Sequence, residues 1–339
     1  MKTILKCFHG LRHVLRIFLF SLGLVLTQTT WAADAGSPAK RMPVILDTDI
    51  GDDIDDTWAL GLLLKSPELD VKLVVGDYGK SQYRARLLAK LLQTAARTDV
   101  PVGVGLDVEP RGEGPQAAWL KGFELSSYPG KVHADGVQAV IDTILHSKET
   151  VTLIAIGPLP NVAAALEREP QIASRARFVG MHGSVRLGYD GSKTPSAEWN
   201  VKANPKACQK VFTAPWEMVI TPLDTCGLVH LAGERYRRVR DSQDPVASAI
   251  IQNYRIWSRQ KDSKNTVADE RSSTLFDTAA VYLAFDQSLC RMERLGIRVT
   301  DQGFTVIDAQ AKRISVATEW NSLDGFRDLL ADRLTKAGR

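Results

Sequence analysis

Six aspartates stand within ten positions of VILDTDIGDDIDDTWAL, residues 44 to 60: Asp47, Asp49, Asp52, Asp53, Asp55 and Asp56. Acidic side chains in a first helical turn gain about 0.3 to 1 kcal/mol each from the helix dipole. Asp55 and Asp56 alone therefore need no special chemistry. Asp47 and Asp49 do, because alternate residues of a strand point to the same side. Two carboxylates about 5 Å apart, at an effective dielectric of about 20, repel by about 3 kcal/mol, more than a helix dipole offsets over several pairs. Either some carboxyls are protonated or a divalent cation sits among them. Hard oxygen donors favour Ca2+ or Mg2+ over zinc, and an irregular cage with many ligands favours Ca2+.

Two other acidic motifs compete and fail. In an EF-hand loop counted from Asp47 the twelfth position belongs to a bidentate Glu, and Trp58 stands there. An aspartyl-nucleophile phosphatase needs a small hydroxyl residue soon after the turn glycine, where this chain has Asp52 and Asp53.

The elements that must position these carboxylates are legible as an alternation. Apolar runs rich in branched residues (PVILD, VKLVVGD, VTLIAIG, ARFVGM, WEMVIT) alternate with helical patterns (DDTWALGLLLKS, YRARLLAKLLQTA, DGVQAVIDTILHS, PNVAAALERE, PKACQKVFTA), the signature of parallel βαβ units. Near the end, GFTVIDAQAKRISVAT reads as a hairpin and SLDGFRDLLADRLTKA as a closing amphipathic helix. The expected fold is a single Rossmann-like α/β domain with a mostly parallel, mixed sheet flanked by helices. Ligands of such sheets bind beyond the carboxyl ends of the strands, which is where PVIL delivers Asp47, Thr48 and Asp49.

DTDIGDDIDDTWAL resembles the N-terminal signature of the inosine-uridine-preferring nucleoside hydrolases, with two extra residues between the glycine and the Asp-Asp pair. AIGPLPNVAAAL (155 to 166) is similar to that family's second strand-to-helix turn, TPSAEWNVKANPKA (194 to 207) to its ribose-binding loop, and LFDTAAVYLA (275 to 284) to its late metal segment. The resemblance implies an N-glycosyl hydrolase that splits ribonucleosides into base and ribose with the help of Ca2+. Carried over residue by residue, it makes Asp49 both general base and metal ligand. Asp56, the backbone carbonyl of Ile156 and Asp277 become further ligands. Asp55, Glu198 and Asn200 become ribose contacts, and Asp47 a support for Asp49. Three positions, all placed by the resemblance against the substrate, depart from the pattern. Phe276 stands where the family carries a histidine that protonates the leaving base, and Asp77 and Ser192 each replace an asparagine. An aromatic at 276 is similar to the purine-preferring branch and leans the expectation slightly toward purines, with Trp119 a candidate second ring.

Each later residue also has a plainer reading. Glu198 and Asn200 could cap the following helix, although Asn204-Pro205 makes the better cap pair. An unpartnered Asp277 in the apolar run LFDTAAVYLAF is costly, so a metal is its economical partner. His133 and His182 lack metal-ligand spacing and read as loop or core residues. A chain that kept fold and cation without turnover would be a periplasmic nucleoside- or sugar-binding module. Keeping Asp49 beside a metal site speaks against it, because capture of ribose needs no base.

Composition bounds the partners. The chain has 339 residues, 44% hydrophobic and 24% charged, an ordinary globular balance. Lys2, Lys6, Arg12 and Arg16 precede the apolar run IFLFSLGLVLT and the small residues around Ala32, which reads as a signal peptide over residues 1–32 ahead of a catalytic domain over 33–339. The run is far shorter than the roughly 20 residues a membrane span needs, so the expectation is a periplasmic or secreted protein without stable membrane insertion. Losing four basic residues brings the formal charge from +4 to about zero, which argues against nucleic acid as a partner. Cys208, Cys226 and Cys290 form no metal pattern and permit one disulfide at most. Self-association as a homo-oligomer is left open.

Overall fold

PVILD forms the centre of the sheet. The structure is a computed structural model that describes residues 40–260 and 266–336; the signal peptide expected over 1–32 lies outside them. Ten strands are present among the described residues: β1 (Met42–Thr48), β2 (Leu69–Gly76), β3 (Val102–Gly103), β4 (Val132–His133), β5 (Val151–Ala155), β6 (Ala176–Met181), β7 (Met218–Thr221), β8 (Cys290–Val299), β9 (Thr305–Ile307) and β10 (Arg313–Trp320). They form one sheet in the order β4-β3-β2-β1-β5-β6-β7-β10-β8-β9. Every pairing from β4 across to β10 is parallel, and those of β8 with β10 and β9 are antiparallel. The expected single α/β domain with a mostly parallel, mixed sheet is present.

Both faces of the sheet are covered, as a parallel sheet requires. Val44 and Leu46 pack on one side with the helices Asp55–Leu64, Ser81–Thr94, Pro245–Ser258, Phe276–Phe285 and Leu323–Thr335. Ile45 packs on the other with the helices Gly136–His146, Pro160–Arg168 and Pro205–Thr213. This is the period-two alternation of a strand buried on both faces. The chain leaves β1 toward β2 on one side and β5 lies on the other, so the carboxyl end of β1 is the point where strand order reverses. A crevice opens at such a point.

The hairpin expected over residues 303 to 318 is not formed. β9 and β10 both pair with β8, which lies between them: Ile297 opposes Ile307, and Leu295 opposes Ile314. CRMERLGIRV carries charges at positions 291, 293, 294 and 298, which hid this strand from a hydrophobic count, while the runs flanking the turn look like partners by proximity alone. Gly296 marks the crowded middle of the arrangement, where a Cβ would collide with the backbone carbonyl of Asp308. Gly296→Ala should lower stability by about 1 to 3 kcal/mol through overpacking, read as a shift in the urea unfolding midpoint. An unchanged midpoint would show that β9 does not press on β8 as described.

Candidate active site

The acidic stretch splits into two groups because β1 ends at Thr48. Asp47, still in the strand, turns to the side of Ile45, is fully buried, and accepts a hydrogen bond from Asn161 Nδ2 at 2.9 Å. Asp77, just past β2, accepts from the backbone N–H groups of Leu159 (2.9 Å) and Asn161 (3.2 Å). Its own N–H donates to the Thr48 carbonyl at 2.7 Å. Burial holds both carboxyls up, Asp77 to about 6 and Asp47 well above the ordinary range, where the neighbouring Asp77 charge pushes further. One Asp47 oxygen, Oδ1, is buried without a hydrogen-bond donor, a shortfall that an ionised carboxylate bears at a cost and a protonated carboxyl lessens.

The second group faces a cleft of about 420 Å³ lined by Asp49, Asp55, Ile156, Glu198, Asn200, Phe276 and Asp277, among others. Asp55 and Asp56 open the helix Asp55–Leu64, and Asp277 lies in the first turn of Phe276–Phe285. The two helices converge so that carboxylate oxygens of Asp55, Asp56 and Asp277 lie within 4.8 Å of one another. The Asp277 N–H points to Asp55 Oδ2 at 3.4 Å, and the Thr48 hydroxyl donates to Asp56 Oδ1. All three carboxyls are buried and held well above the ordinary range. Desolvation is the first cause and the charges of neighbouring aspartates add to it. Three hard oxygen donors that disfavour each other's ionisation form a donor set suited to a divalent cation, whose charge removes both penalties.

Asp49 lies outside that triad. Burial raises its carboxyl to about 7, a rise that the Arg84 guanidinium moderates and the Asp52 and Asp77 charges reinforce. Asn200 Nδ2 donates to the Ile156 carbonyl (3.1 Å) and to the Met181 carbonyl (3.0 Å), so the carbonyl assigned to a metal is engaged by the residue assigned to ribose. Glu198 has the cap role open to it in the sequence and also borders the cleft. It caps the helix Trp199–Ala203 by accepting from the N–H groups of Asn200 (2.7 Å) and Val201 (3.3 Å) and from Gly183 (2.9 Å). Burial nonetheless lifts its carboxyl to about 7. Asn204 caps the next helix as expected.

Three residues expected at the substrate lie elsewhere in the structure. The Asp77 carboxylate is fully buried, accepts from the Leu159 and Asn161 amides, and is not among the residues lining the cleft. Ser192 is exposed, and its hydroxyl accepts from the Thr194 N–H in a turn outside the cleft lining. Trp119 gives its indole N–H to Gln252 and its face to Lys90, away from the cleft. The ring beside Phe276 is Tyr189, edge-on with centroids 6.2 Å apart, and Tyr189 and Trp199 line the same wall. His182 is a core residue as read, buried beside Phe178 and Phe212. Cys208, Cys226 and Cys290 are all buried free thiols.

Sequence reasoning missed Asn161, Thr48 and above all Arg84, whose guanidinium is wholly buried under the acidic turn. A signal for Arg84 existed. It shares one helical face with Leu87, Leu88 and Leu91, and a cation in an apolar stripe calls for buried acceptors.

A mostly parallel sheet with an acidic crevice at its switch point defines an α/β fold with a metal-capable centre. The chain belongs to the inosine-uridine preferring nucleoside hydrolase family, whose model matches residues 44–327, and is an N-glycosyl hydrolase. It is 31% identical over 321 residues to the pyrimidine-specific ribonucleoside hydrolase RihA of Escherichia coli O81 (strain ED1a), covering 86% of this chain and 98% of that one. The same fold is seen in the plant nucleoside hydrolase PpNRh1 (TM-score 0.70, 23% identity, 87% of this chain and 99% of that chain). A purine-preferring ribonucleoside hydrolase from Gardnerella vaginalis shares it too (TM-score 0.70, 22% identity, 86% and 98%).

The raised carboxyls give a pH dependence of definite sign. A group whose folded pKa exceeds its unfolded value supports the fold fully below the unfolded value and loses that support as pH rises through the folded one. The window runs from about pH 4, their ordinary range, to about 6 for Asp77 and about 7 for Asp49 and Glu198. The chelated protein should therefore melt several degrees lower at pH 8 than at pH 5, and stabilisation by a divalent cation should grow over the same interval as bound protons give way to metal. A chelated protein more stable at pH 8 would contradict the burial of these charges.

Proposed function

We propose that the protein hydrolyses the N-glycosidic bond of ribonucleosides with Ca2+ held by Asp55, Asp56 and Asp277, and that Asp49 takes the proton of the attacking water. The observation that carries this reading is the convergence of three buried carboxylates, two of which, Asp55 and Asp277, line a cleft whose other walls hold a separate carboxylate, Asp49, and an aromatic pair, Phe276 and Tyr189. Ca2+ is preferred because every donor is a hard oxygen and the set is irregular. When bound, the ion would supply charge to hold the sugar hydroxyls and to acidify a water.

The chain's own residues do the rest. Asp49 accepts one proton as the water oxygen bonds to the anomeric carbon, and the electron pair of the broken C–N bond departs with the base. The acidic walls stabilise the oxocarbenium character of the sugar. Asn200 and Glu198, fixed by their backbone partners, border the sugar's side of the cleft. Asp55 moves from the ribose role into the cation's donor set, and Asp49 is kept as base.

For the aglycone, Phe276 and Tyr189 offer a π surface that takes any nucleobase. The absence of an imidazole at 276 leaves stacking as the means of holding the leaving base, and a purine presents the larger ring. We keep a slight lean to purines, set against the pyrimidine-specific relatives at 31% identity. We also read the chain as exported, on the leader-like residues 1–32.

Purified protein offered inosine, guanosine, adenosine, uridine and cytidine should release base and ribose, and a chelator should abolish release until Ca2+ is restored. Release from none of the five would end the reading, and uridine turned over tenfold better than every purine would end the purine lean. Asp49→Asn should keep the fold and most of the nucleoside affinity while lowering kcat by about 10² to 10⁴, the usual contribution of a general base. Near-normal turnover in that variant would remove Asp49 from its role.

A further inference from the structure

We infer that Arg84 is a positioning residue for Asp49, acting through the peptide unit that joins Asp49 to Ile50. This rests on the reading of Asp49 as the proton acceptor. The guanidinium is wholly buried and every arm is engaged. Nη1 donates to the carbonyl of Asp49 and to that of Ile50 at 2.8 Å. Nε donates to Gly79 at 2.9 Å, and Nη2 to Tyr78 at 3.0 Å and to the Asp52 carboxylate at 2.8 Å.

The 49–50 peptide unit is pinned from both ends. Its carbonyl accepts from Arg84, and its N–H, that of Ile50, donates to Thr48 Oγ1 at 3.2 Å. The same hydroxyl donates to Asp56. The plane that sets the direction of the Asp49 side chain is thereby tied to a member of the carboxylate triad. No strand bond is available to do this, since β1 stops at Thr48.

The other side of the clamp is shaped for the guanidinium. Tyr78, Gly79 and Lys80 run consecutively through the left-handed region, with φ of 54°, 69° and 47°, a conformation that non-glycine residues seldom adopt. It turns the Tyr78 and Gly79 carbonyls onto Arg84. Asp52, in the acidic turn between Gly51 and the Asp55-Asp56 pair, pairs with both Arg84 and Lys80. The acidic turn and the buried arginine thus form one device, and a planar fork rather than a point charge is what fits five acceptors.

Two variants test it, each measured for folding, steady-state kinetics and the rise in melting temperature produced by Ca2+. In Arg84→Met, kcat should fall at least about tenfold with KM changed less than about threefold, as expected when a reacting group is misplaced but binding is kept. The Ca2+-induced rise should shrink, because Asp56 is tied to the same hydroxyl. Arg84→Lys keeps the charge without the fork and should recover only part of both losses. A folded Arg84→Met with kcat within about twofold of wild type overturns the inference, as does full recovery by lysine, which would make charge alone sufficient. Should Arg84→Met not fold, Arg84→Lys decides by the same criteria; failure of both to fold also overturns the inference, since the arginine would then hold the domain rather than the turn. Because the Ca2+-induced rise needs no substrate, a chain that hydrolysed no nucleoside would leave the clamp's effect on the cation site measurable, and the two failures stay distinct.

Discussion

Crowded negative charge at the carboxyl ends of β1 and β2 is the constraint around which this protein is built. Taking a carboxylate out of water is expensive, and doing so beside others multiplies the expense. The structure answers each in turn. Asp77 receives two backbone N–H groups, Asp47 receives Asn161, Asp56 receives Thr48, and Arg84 lies within Coulombic reach of Asp49, Asp56 and Asp77. The triad of Asp55, Asp56 and Asp277 is left with more negative charge than these partners offset, and it is there that we propose the cation binds.

The fold supplies the geometry that makes such a remainder useful. Asp55 and Asp277 are 222 positions apart, and they meet because two apolar helices pack side by side on one face of the sheet with their first turns level. Helix N-termini carry partial positive charge, so the elements that bring the carboxylates together also soften their repulsion. The cleft takes its opposite wall from the loops after β5 and β6, and the aromatic residues there give it an apolar side next to the acidic one.

The acidic turn shows how far a motif can be carried without its surroundings. Asp47 and Asp49 look equivalent by strand alternation, yet one is sealed under the sheet and the other opens to the cleft, because the strand ends between them. Glu198 was weighed as either cap or ligand contact, and its two oxygens and position at a helix start let it hold the backbone while facing the cleft. Asp77 and Ser192 stand at positions the family pattern places against the substrate, yet here their polar atoms are satisfied by the chain itself.

Much of the architecture was legible in residue order. The alternation of branched apolar runs with amphipathic segments determined the parallel sheet, since each pattern buries its apolar side in only one kind of element. The spacing of DTDIGDDIDDTWAL determined that carboxylates would gather at a strand end, since Coulomb repulsion at that density demands a partner. Tertiary structure alone decided which carboxylates converge, that β8 runs between β9 and β10, that Tyr189 rather than Trp119 accompanies Phe276, and that Arg84 lies beneath the acidic turn. These depend on contacts between residues far apart in the chain, and such contacts are set by how helices and strands pack. A local pattern of charge and hydrophobicity carries no record of that packing.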